Sequence, residues 1–127
     1  LAGALAHPPA TAREAQACLI EGTLVLGPVR QAIRECIETQ SMAEQQFRPL
    51  CQQHLDEAVV LAESAGGRIE RADIHWDARC PRPAQGACAG YGGGPLKALY
   101  YGRAEEELAG LPDGCRQLGG HWTEADD

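Results

Sequence analysis

Apolar residues in the first half of the chain recur at intervals of three and four positions, the spacing of one face of an amphipathic helix. Thr11-Ala-Arg-Glu14 has the pattern of a capping box and predicts that a first helix begins there. Gly27-Pro28 interrupts the apolar stripe. Because proline suits the first turn of a helix and not its interior, either a second helix begins at Pro28 or one long helix kinks there.

Two further signals mark the start and the end of a helix later in this half. Ser41-Met-Ala-Glu44 repeats the capping box, and Gly66-Gly67 is typical of a helix C-terminus. Between them, Arg48-Pro49 again breaks or kinks the path. We therefore expect residues 11–66 to form a helical hairpin or a three-helix arrangement, in which short connections make neighbouring helices antiparallel.

The pattern changes after Gly67. Alternating apolar and polar positions predict a short, half-exposed strand over residues 68–76, and the proline and glycine that follow predict a long loop over residues 77–95. The remaining predictions are a strand or helical turn at 96–101, a short helix at 103–111 ended by Pro112-Asp113-Gly114, an extended piece at 115–122 and an acidic tail at 123–127.

The predicted fold class is mainly α, with α+β as the alternative. A single domain over residues 7–122 would join a helical part, 11–66, to a disulfide-stapled, loop-rich part with short strands, 67–122. No internal repeat is long enough to support a structural duplication, although His-Trp occurs twice, at 75–76 and 121–122.

Cysteine spacing favours disulfides over a metal site. Zinc ligands come in pairs two to four residues apart and a c-type haem needs Cys-x-x-Cys-His, and neither pattern occurs. An even number of cysteines in a small domain predicts three disulfides formed in an oxidising compartment. Sequence alone cannot choose the pairing; our preferred set is Cys36–Cys51, Cys80–Cys88 and Cys18–Cys115.

The N-terminus also suggests export. Residues 1–6 are apolar, and Ala4-Leu5-Ala6 fits the small-x-small rule for signal peptidase. We interpret residues 1–6 as the end of a secretory signal, the alternative being an N-terminus that is simply rich in alanine. The expected location is periplasmic or secreted.

Composition narrows the class of partner. The chain has 11 basic and 18 acidic residues, a formal net charge of −7. Such an acidic chain without a basic block argues against binding of nucleic acid or of an anionic membrane. It contains no apolar run near the roughly 20 residues needed for membrane insertion. A basic protein partner is the expectation, and the pattern leaves the oligomeric state open.

The candidate partner-binding residues lie in the long loop and just after it. Gly90-Tyr-Gly-Gly-Gly-Pro-Leu-Lys97 lacks the Gly-Lys-Ser/Thr of a phosphate loop. Tyrosine beside glycine is instead a mixture typical of binding loops, because rigid rings supply contact area while glycine adapts. We therefore predict that a protein partner contacts Tyr91, Tyr100, Tyr101 and Arg82, the alternative for the tyrosines being ordinary packing.

Histidines provide an alternative function. If cleavage follows Ala6, the free amine and imidazole of His7 could chelate copper, with His75 or His121 completing the site. The preferred interpretation has no cofactor; this alternative is a copper or small-ligand carrier that uses His7, His75 and His121. His54 lies on the apolar stripe and is interpreted as a core histidine.

No catalytic motif is present. Four helical-stretch carboxylates are expected to be solvated, and neither serine lies in a nucleophile elbow. These carboxylates are Glu35, Glu38, Glu57 and Glu63. We therefore predict a small exported, disulfide-stabilised protein-binding module without catalysis, of the inhibitor or toxin-neutralising type. A secreted hydrolase built on glutamate and histidine pairs is a further alternative.

Overall fold

A computed structural model describes residues 14–127, which form one antiparallel sheet of six strands and two helices. Within this range neither helix is long and apolar enough to cross a membrane. The elements in chain order are β1 (Ala17–Leu26), β2 (Val29–Thr39), α1 (Glu44–Ser64), β3 (Arg68–Asp77), β4 (Gly86–Ala89), a 3₁₀ turn (Tyr91–Gly93), β5 (Leu96–Tyr100), α2 (Glu105–Gln117) and β6 (His121–Glu124).

The prediction of a mainly helical fold is wrong, because residues 17–39 form a β-hairpin. Leu26 pairs with Val29, so Gly27-Pro28 is the two-residue turn between β1 and β2. Gly27 has φ +61°, and glycine at the first central position is the pattern of a type II′ turn, whose twist matches that of the flanking strands. What was interpreted as a helix break is therefore a hairpin turn. The first helix start, predicted at Thr11, lies outside the described residues.

The predictions for residues 41–76 agree better with the structure. A helix does follow Ser41, and α1 ends two residues before Gly66, which has φ +85°. Pro49 lies inside α1 and does not end it. The strand predicted over 68–76 is β3.

The C-terminal third holds more regular structure than predicted. β4 lies inside the expected loop, and residues 96–100 form the strand β5. α2 runs past Pro112 to Gln117. The predicted acidic tail begins within β6, whose last two residues it contains, and includes Asp126, which pairs with Lys97 at 2.6 Å.

The strand order β3-β1-β2-β5-β4-β6 consists of two equivalent halves. Each half is a hairpin, a helix and a third strand that pairs with the first strand of its hairpin. The two halves meet where β2 pairs with β5, around the opposed residues Ile37 and Ala98. The chain is therefore two ββαβ units related by an approximate two-fold axis at the centre of the sheet.

The repeated His-Trp dipeptide marks this internal symmetry. Trp76 lies opposite Cys18 in the first half, and Trp122 lies opposite Cys88 in the second. Each of these cysteines bonds the helix of its own half, Cys18 to α1 and Cys88 to α2. The repeat is hard to see in the sequence because the two halves share few other residues.

The sheet buries apolar residues on both faces. Directly paired residues point to the same side of a sheet, so one row of side chains crosses the face that carries both helices. We call this side the helix face; its row is Trp76, Cys18, Ile37, Ala98, Cys88 and Trp122. The opposite side, the loop face, is covered by residues 78–85, and its core includes Cys36, Cys80, Leu99 and Tyr101.

Three disulfides are present, as predicted, but all three predicted pairings are wrong. The bonds are Cys18–Cys51, Cys36–Cys80 and Cys88–Cys115, with Cα–Cα distances of 6.4, 5.8 and 5.7 Å. The predicted pairing assumed that the first two cysteines lie on helices. On strands, alternate residues face opposite sides, so Cys18 reaches α1 on the helix face while Cys36 reaches the covering loop on the other.

Candidate functional site

The structure separates the three tyrosines that the sequence grouped together. Tyr100 and Tyr101 are consecutive and therefore point to opposite faces of the sheet. Tyr101 is 6% exposed, donates a hydrogen bond to the carbonyl oxygen of Pro81 at 2.8 Å and lies under the guanidinium of Arg34. Burial raises the pKa of the Tyr101 phenol to about 12. Its contacts are those of a core residue on the loop face.

Tyr91 and Tyr100 lie on the helix face and are half-buried. The Tyr100 ring packs against Trp122, with 5.8 Å between ring centroids, and under Arg103 at 5.4 Å. Tyr91 lines a small cavity of about 160 Å³ beside His54 and Ile37. Burial raises the pKa of both phenols. Neither ring offers the open contact area that the sequence suggested.

Arg82 is engaged inside the molecule. Its guanidinium forms two hydrogen bonds to the Glu38 carboxylate, at 2.6 and 2.8 Å, and a third to the carbonyl oxygen of Cys80. Glu38 also accepts a hydrogen bond from the Cys80 N–H at 3.0 Å. Burial alone would raise the pKa of Glu38, but Arg82 and the Cys80 amide outweigh it and lower that pKa. Arg82 therefore anchors the covering loop to β2.

The histidines of the copper alternative are far apart. His75 lies on β3 and His121 on β6, the two edge strands of the sheet, so about 24 Å separates them at the usual strand spacing. Over residues 14–127, no group of three or more histidine, cysteine or acidic side chains is placed to hold a metal ion. His7, the central residue of that alternative, lies outside the described residues.

A buried ion network joins the two halves on the helix face. The Glu35 carboxylate accepts hydrogen bonds from His54 Nε2 at 2.7 Å and from Arg103 at 2.9 Å. Sequence analysis expected Glu35 to be solvated, and that is wrong for both Glu35 and Glu38. Because Glu35 lies on β2, His54 on α1 and Arg103 just before α2, the network ties both helices to the central strands.

The protonation states of this network suit a structural role. Burial raises the pKa of Glu35, but the hydrogen bonds and charges of His54 and Arg103 outweigh it and lower that pKa. The hydrogen bond to Glu35 raises the pKa of His54. Both shifts favour an ionised Glu35 and a protonated His54, the charge states of an ion pair.

The exposed surface of α1 carries apolar residues that the core does not use. Val60 is 59% exposed and Leu61 is 70% exposed, whereas α1 buries Phe47, Cys51 and Leu55. These two side chains line a shallow depression of about 430 Å³ whose walls are almost entirely apolar. We call this surface the α1 patch; it consists of Gln53, Asp56, Glu57, Val60 and Leu61.

The hairpin tip extends this apolar surface. Leu26 and Val29 flank the β1–β2 turn and are 39% and 54% exposed. They point to the helix face, and Leu26 lies against Gly67, just beyond the end of α1. Four of the five large apolar side chains exposed in the described part of the chain therefore belong to the hairpin tip and α1, in the first half.

Sequence reasoning missed the α1 patch, although a signal for it exists. A helix presents one apolar stripe to the core, and the stripe of α1 passes through Cys51, Leu55 and Ala62. Val60 and Leu61 fall outside that stripe. Two large apolar residues on the solvent side of a helix are a sign of a contact surface.

Comparisons with protein-family models, with curated proteins and with solved structures return no match for this chain. Its function is therefore inferred from the chemistry of its own surface.

Proposed function

We propose that this protein is a non-catalytic protein-binding module, of the inhibitor or toxin-neutralising type, that meets a basic partner through the α1 patch. The observation that carries the proposal is the pair Val60 and Leu61, exposed on α1 and flanked by Asp56 and Glu57. Large exposed apolar patches rimmed by polar residues mark contact surfaces. An apolar centre between carboxylates is complementary to a partner surface that carries apolar and basic side chains.

The shape of the patch favours a protein over a small molecule. Small ligands are held in concave sites that bury most of their surface, whereas this depression is open on a helix exterior. Full burial of one valine or leucine side chain is worth about 1.5–3 kcal/mol. Val60 and Leu61 are 59% and 70% exposed, so burial of what remains exposed supplies about 2–4 kcal/mol, before the losses of freedom on association.

Charge supports the choice of a basic partner. The net charge of −7 attracts cations over the whole surface, and such attraction speeds the encounter with a basic protein. Because the attraction between exposed charges is screened by salt, association should slow as ionic strength rises.

The disulfides support an oxidising location. Three bonds among residues 14–127, with no free cysteine, are typical of proteins that function outside the reducing cytosol. We place the module in a periplasmic or secreted setting, where inhibitors of that kind meet their targets.

Affinity capture with matched variants tests the function. The oxidised protein is immobilised and exposed to periplasmic and secreted fractions of the source cells, and the retained proteins are quantified by mass spectrometry. Val60→Ser/Leu61→Ser should lose the specific partner, while Leu118→Ser, which changes an exposed leucine at the end of α2, should retain it. A retained protein then has to bind the purified wild type in a salt-dependent manner.

The same variants test self-association. If the patch binds a second copy, the wild type will be a dimer by light scattering and Val60→Ser/Leu61→Ser a monomer. A dimer of that kind, or capture that is equal for wild type and patch variant, overturns the proposal of a basic partner bound through α1.

A further inference from the structure

The internal two-fold symmetry aligns α1 with α2 residue by residue. The two disulfide cysteines, Cys51 and Cys115, occupy equivalent positions because each bonds the first strand of its own half. Three residues before these cysteines stand Arg48 in α1 and Pro112 in α2. Seven residues before them stand Glu44 and Leu108.

In the first half, an arginine covers the tryptophan of the third strand. The Arg48 guanidinium lies 4.3 Å from the centre of the Trp76 ring, and its Nε donates a hydrogen bond to Glu44 at 2.7 Å. Glu44 is held in turn by the backbone N–H of Ala15. The Trp76 indole and the Glu44 carboxylate thus hold the guanidinium of Arg48 together.

In the second half, the equivalent position is an open pocket. It has a volume of about 370 Å³ and is lined by Trp122 together with Leu108, Ala109 and Pro112 of α2. Because α2 has proline where α1 has arginine, α2 supplies no guanidinium to cover Trp122 there. The nearby Arg103 is directed to Tyr100 and Glu35 instead.

The pocket also has carboxylates. Glu105 and Glu124 line it, and within residues 14–127 no cation pairs with either of them. The counterpart of Glu44 in α2 is Leu108, so Glu105 and Glu124 are the carboxylates that this pocket offers to a cation. Trp122 is held in orientation by Tyr100 and by the backbone of Gly86, whose missing side chain leaves room for the ring.

We propose that this pocket binds an arginine side chain of the protein partner, seated over Trp122 between Glu105 and Glu124. The inference rests on the proposed function and names the group that the module recognises. Arginine fits better than lysine because its planar guanidinium stacks on an indole and pairs with carboxylates at the same time. Arg48 over Trp76 shows that this fold accommodates that geometry.

The probe for the test is N-acetyl-arginine amide, compared with the neutral analogue N-acetyl-citrulline amide. Nuclear magnetic resonance of ¹⁵N-labelled protein resolves the two indole N–H signals, so Trp76 serves as an internal control. The Trp122 signal should shift and saturate at millimolar arginine amide, Trp76 should not move, and citrulline amide should bind at least tenfold more weakly. Equal shifts of both indoles, or equal binding of the two probes, overturn the proposal.

A second variant fills the pocket from within. Leu108→Glu/Pro112→Arg reproduces the Glu44–Arg48 pair of the first half and should abolish the response to arginine amide while the protein stays folded. Gln52→Arg is the control, since it adds an arginine on the exposed side of α1 without reaching the pocket. Undiminished binding of arginine amide by the filled variant refutes the site.

The pocket and the α1 patch are tested separately. Val60→Ser/Leu61→Ser should still bind arginine amide, because its changes lie on the other helix. Loss of partner capture in that variant with arginine binding intact supports both proposals. If the protein binds arginine amide but captures no partner, the proposed function is wrong and only an arginine site remains. If Leu108→Glu/Pro112→Arg captures the partner as well as the wild type does, the pocket inference alone is wrong.

Discussion

Replacement of Arg82 by alanine should destabilise the protein strongly, because it leaves the Glu38 carboxylate buried without its cation. The side chains of Arg82 and Glu38 are only 18% and 12% exposed, and two hydrogen bonds join them. Removal of one partner from a buried ion pair costs about 3–5 kcal/mol. Since both side chains retain some contact with water, we expect about 3 kcal/mol for Arg82→Ala at pH 7.

The loss should depend on pH in a defined direction. In the wild type the pKa of Glu38 is lowered below 4.5, so this carboxylate contributes stability above that pH, and the contribution is lost as the pH falls. Without Arg82, the pKa of Glu38 rises from its wild-type position, because burial is then opposed only by the Cys80 amide and Lys97. The carboxyl of the variant then takes up a proton on acidification and the penalty is relieved. The difference in stability should therefore shrink between pH 7 and pH 4.

Urea unfolding of the oxidised protein, followed by tryptophan fluorescence at both pH values, measures the difference. Arg30→Ala is the matched control: its ion pair with Glu70 is exposed, and exposed pairs are worth about 0–1 kcal/mol. Arg82→Met/Glu38→Gln should recover most of the lost stability, because the introduced glutamine keeps an acceptor for the Cys80 N–H. A loss below about 1 kcal/mol for Arg82→Ala, or the same loss at pH 7 and pH 4, would refute the reasoning.

Three further predictions follow from the same structure. Joint replacement of Cys88 and Cys115 by alanine opens a loop of 27 residues and should cost about 3–4 kcal/mol in urea unfolding; peptide mapping that finds any other pairing contradicts the fold. His54→Gln should lower the unfolding temperature most below pH 6.5, with the gap closing as the pH rises through the raised pKa of His54; a gap independent of pH would contradict the ion pair. Gly86→Ala should destabilise the protein by about 1–3 kcal/mol, because the added Cβ would lie 2.2 Å from the indole of Trp122. Gly110→Ala, in open space on α2, should instead stabilise it by about 0.5–1 kcal/mol. Equal shifts of the unfolding temperature in the two variants would count against the packing of Trp122 on Gly86.

The elements predicted correctly from the sequence are those that a few neighbouring residues specify. Gly66 ends α1 because glycine takes a left-handed conformation without strain. The alternation of residues 68–76 predicted β3 because a half-buried strand needs a two-residue period. Such signals depend on a few neighbouring residues, so they can be read from the chain itself.

The hairpin shows where local reasoning fails. Apolar residues in these strands fall at three- and four-residue intervals as well as at alternate positions: β1 is largely apolar, and β2 has Val29, Ile33, Cys36 and Ile37. The same residues are then compatible with both a helix and a strand. Gly27-Pro28 is a usable turn signal, but proline is also common in the first turn of a helix, so the same residues fit a new helix at Pro28 or a kink in one long helix.

The even count of cysteines and the net charge of −7 are properties of composition, so the sequence by itself determined that three disulfides could form and that the chain is acidic. The pairing, the two-fold arrangement and the patch on α1 depended on tertiary structure. Whether Cys18 meets Cys51 or Cys115 depends on which face of the sheet each strand residue points to and which helix crosses that face. The pocket at Trp122 also depends on tertiary structure, because it is recognised as open only by comparison with Trp76 at the equivalent position of the first half. Contacts between residues far apart in the chain carry no local signal, and they decided the disulfide pairing, the symmetry and the pocket at Trp122.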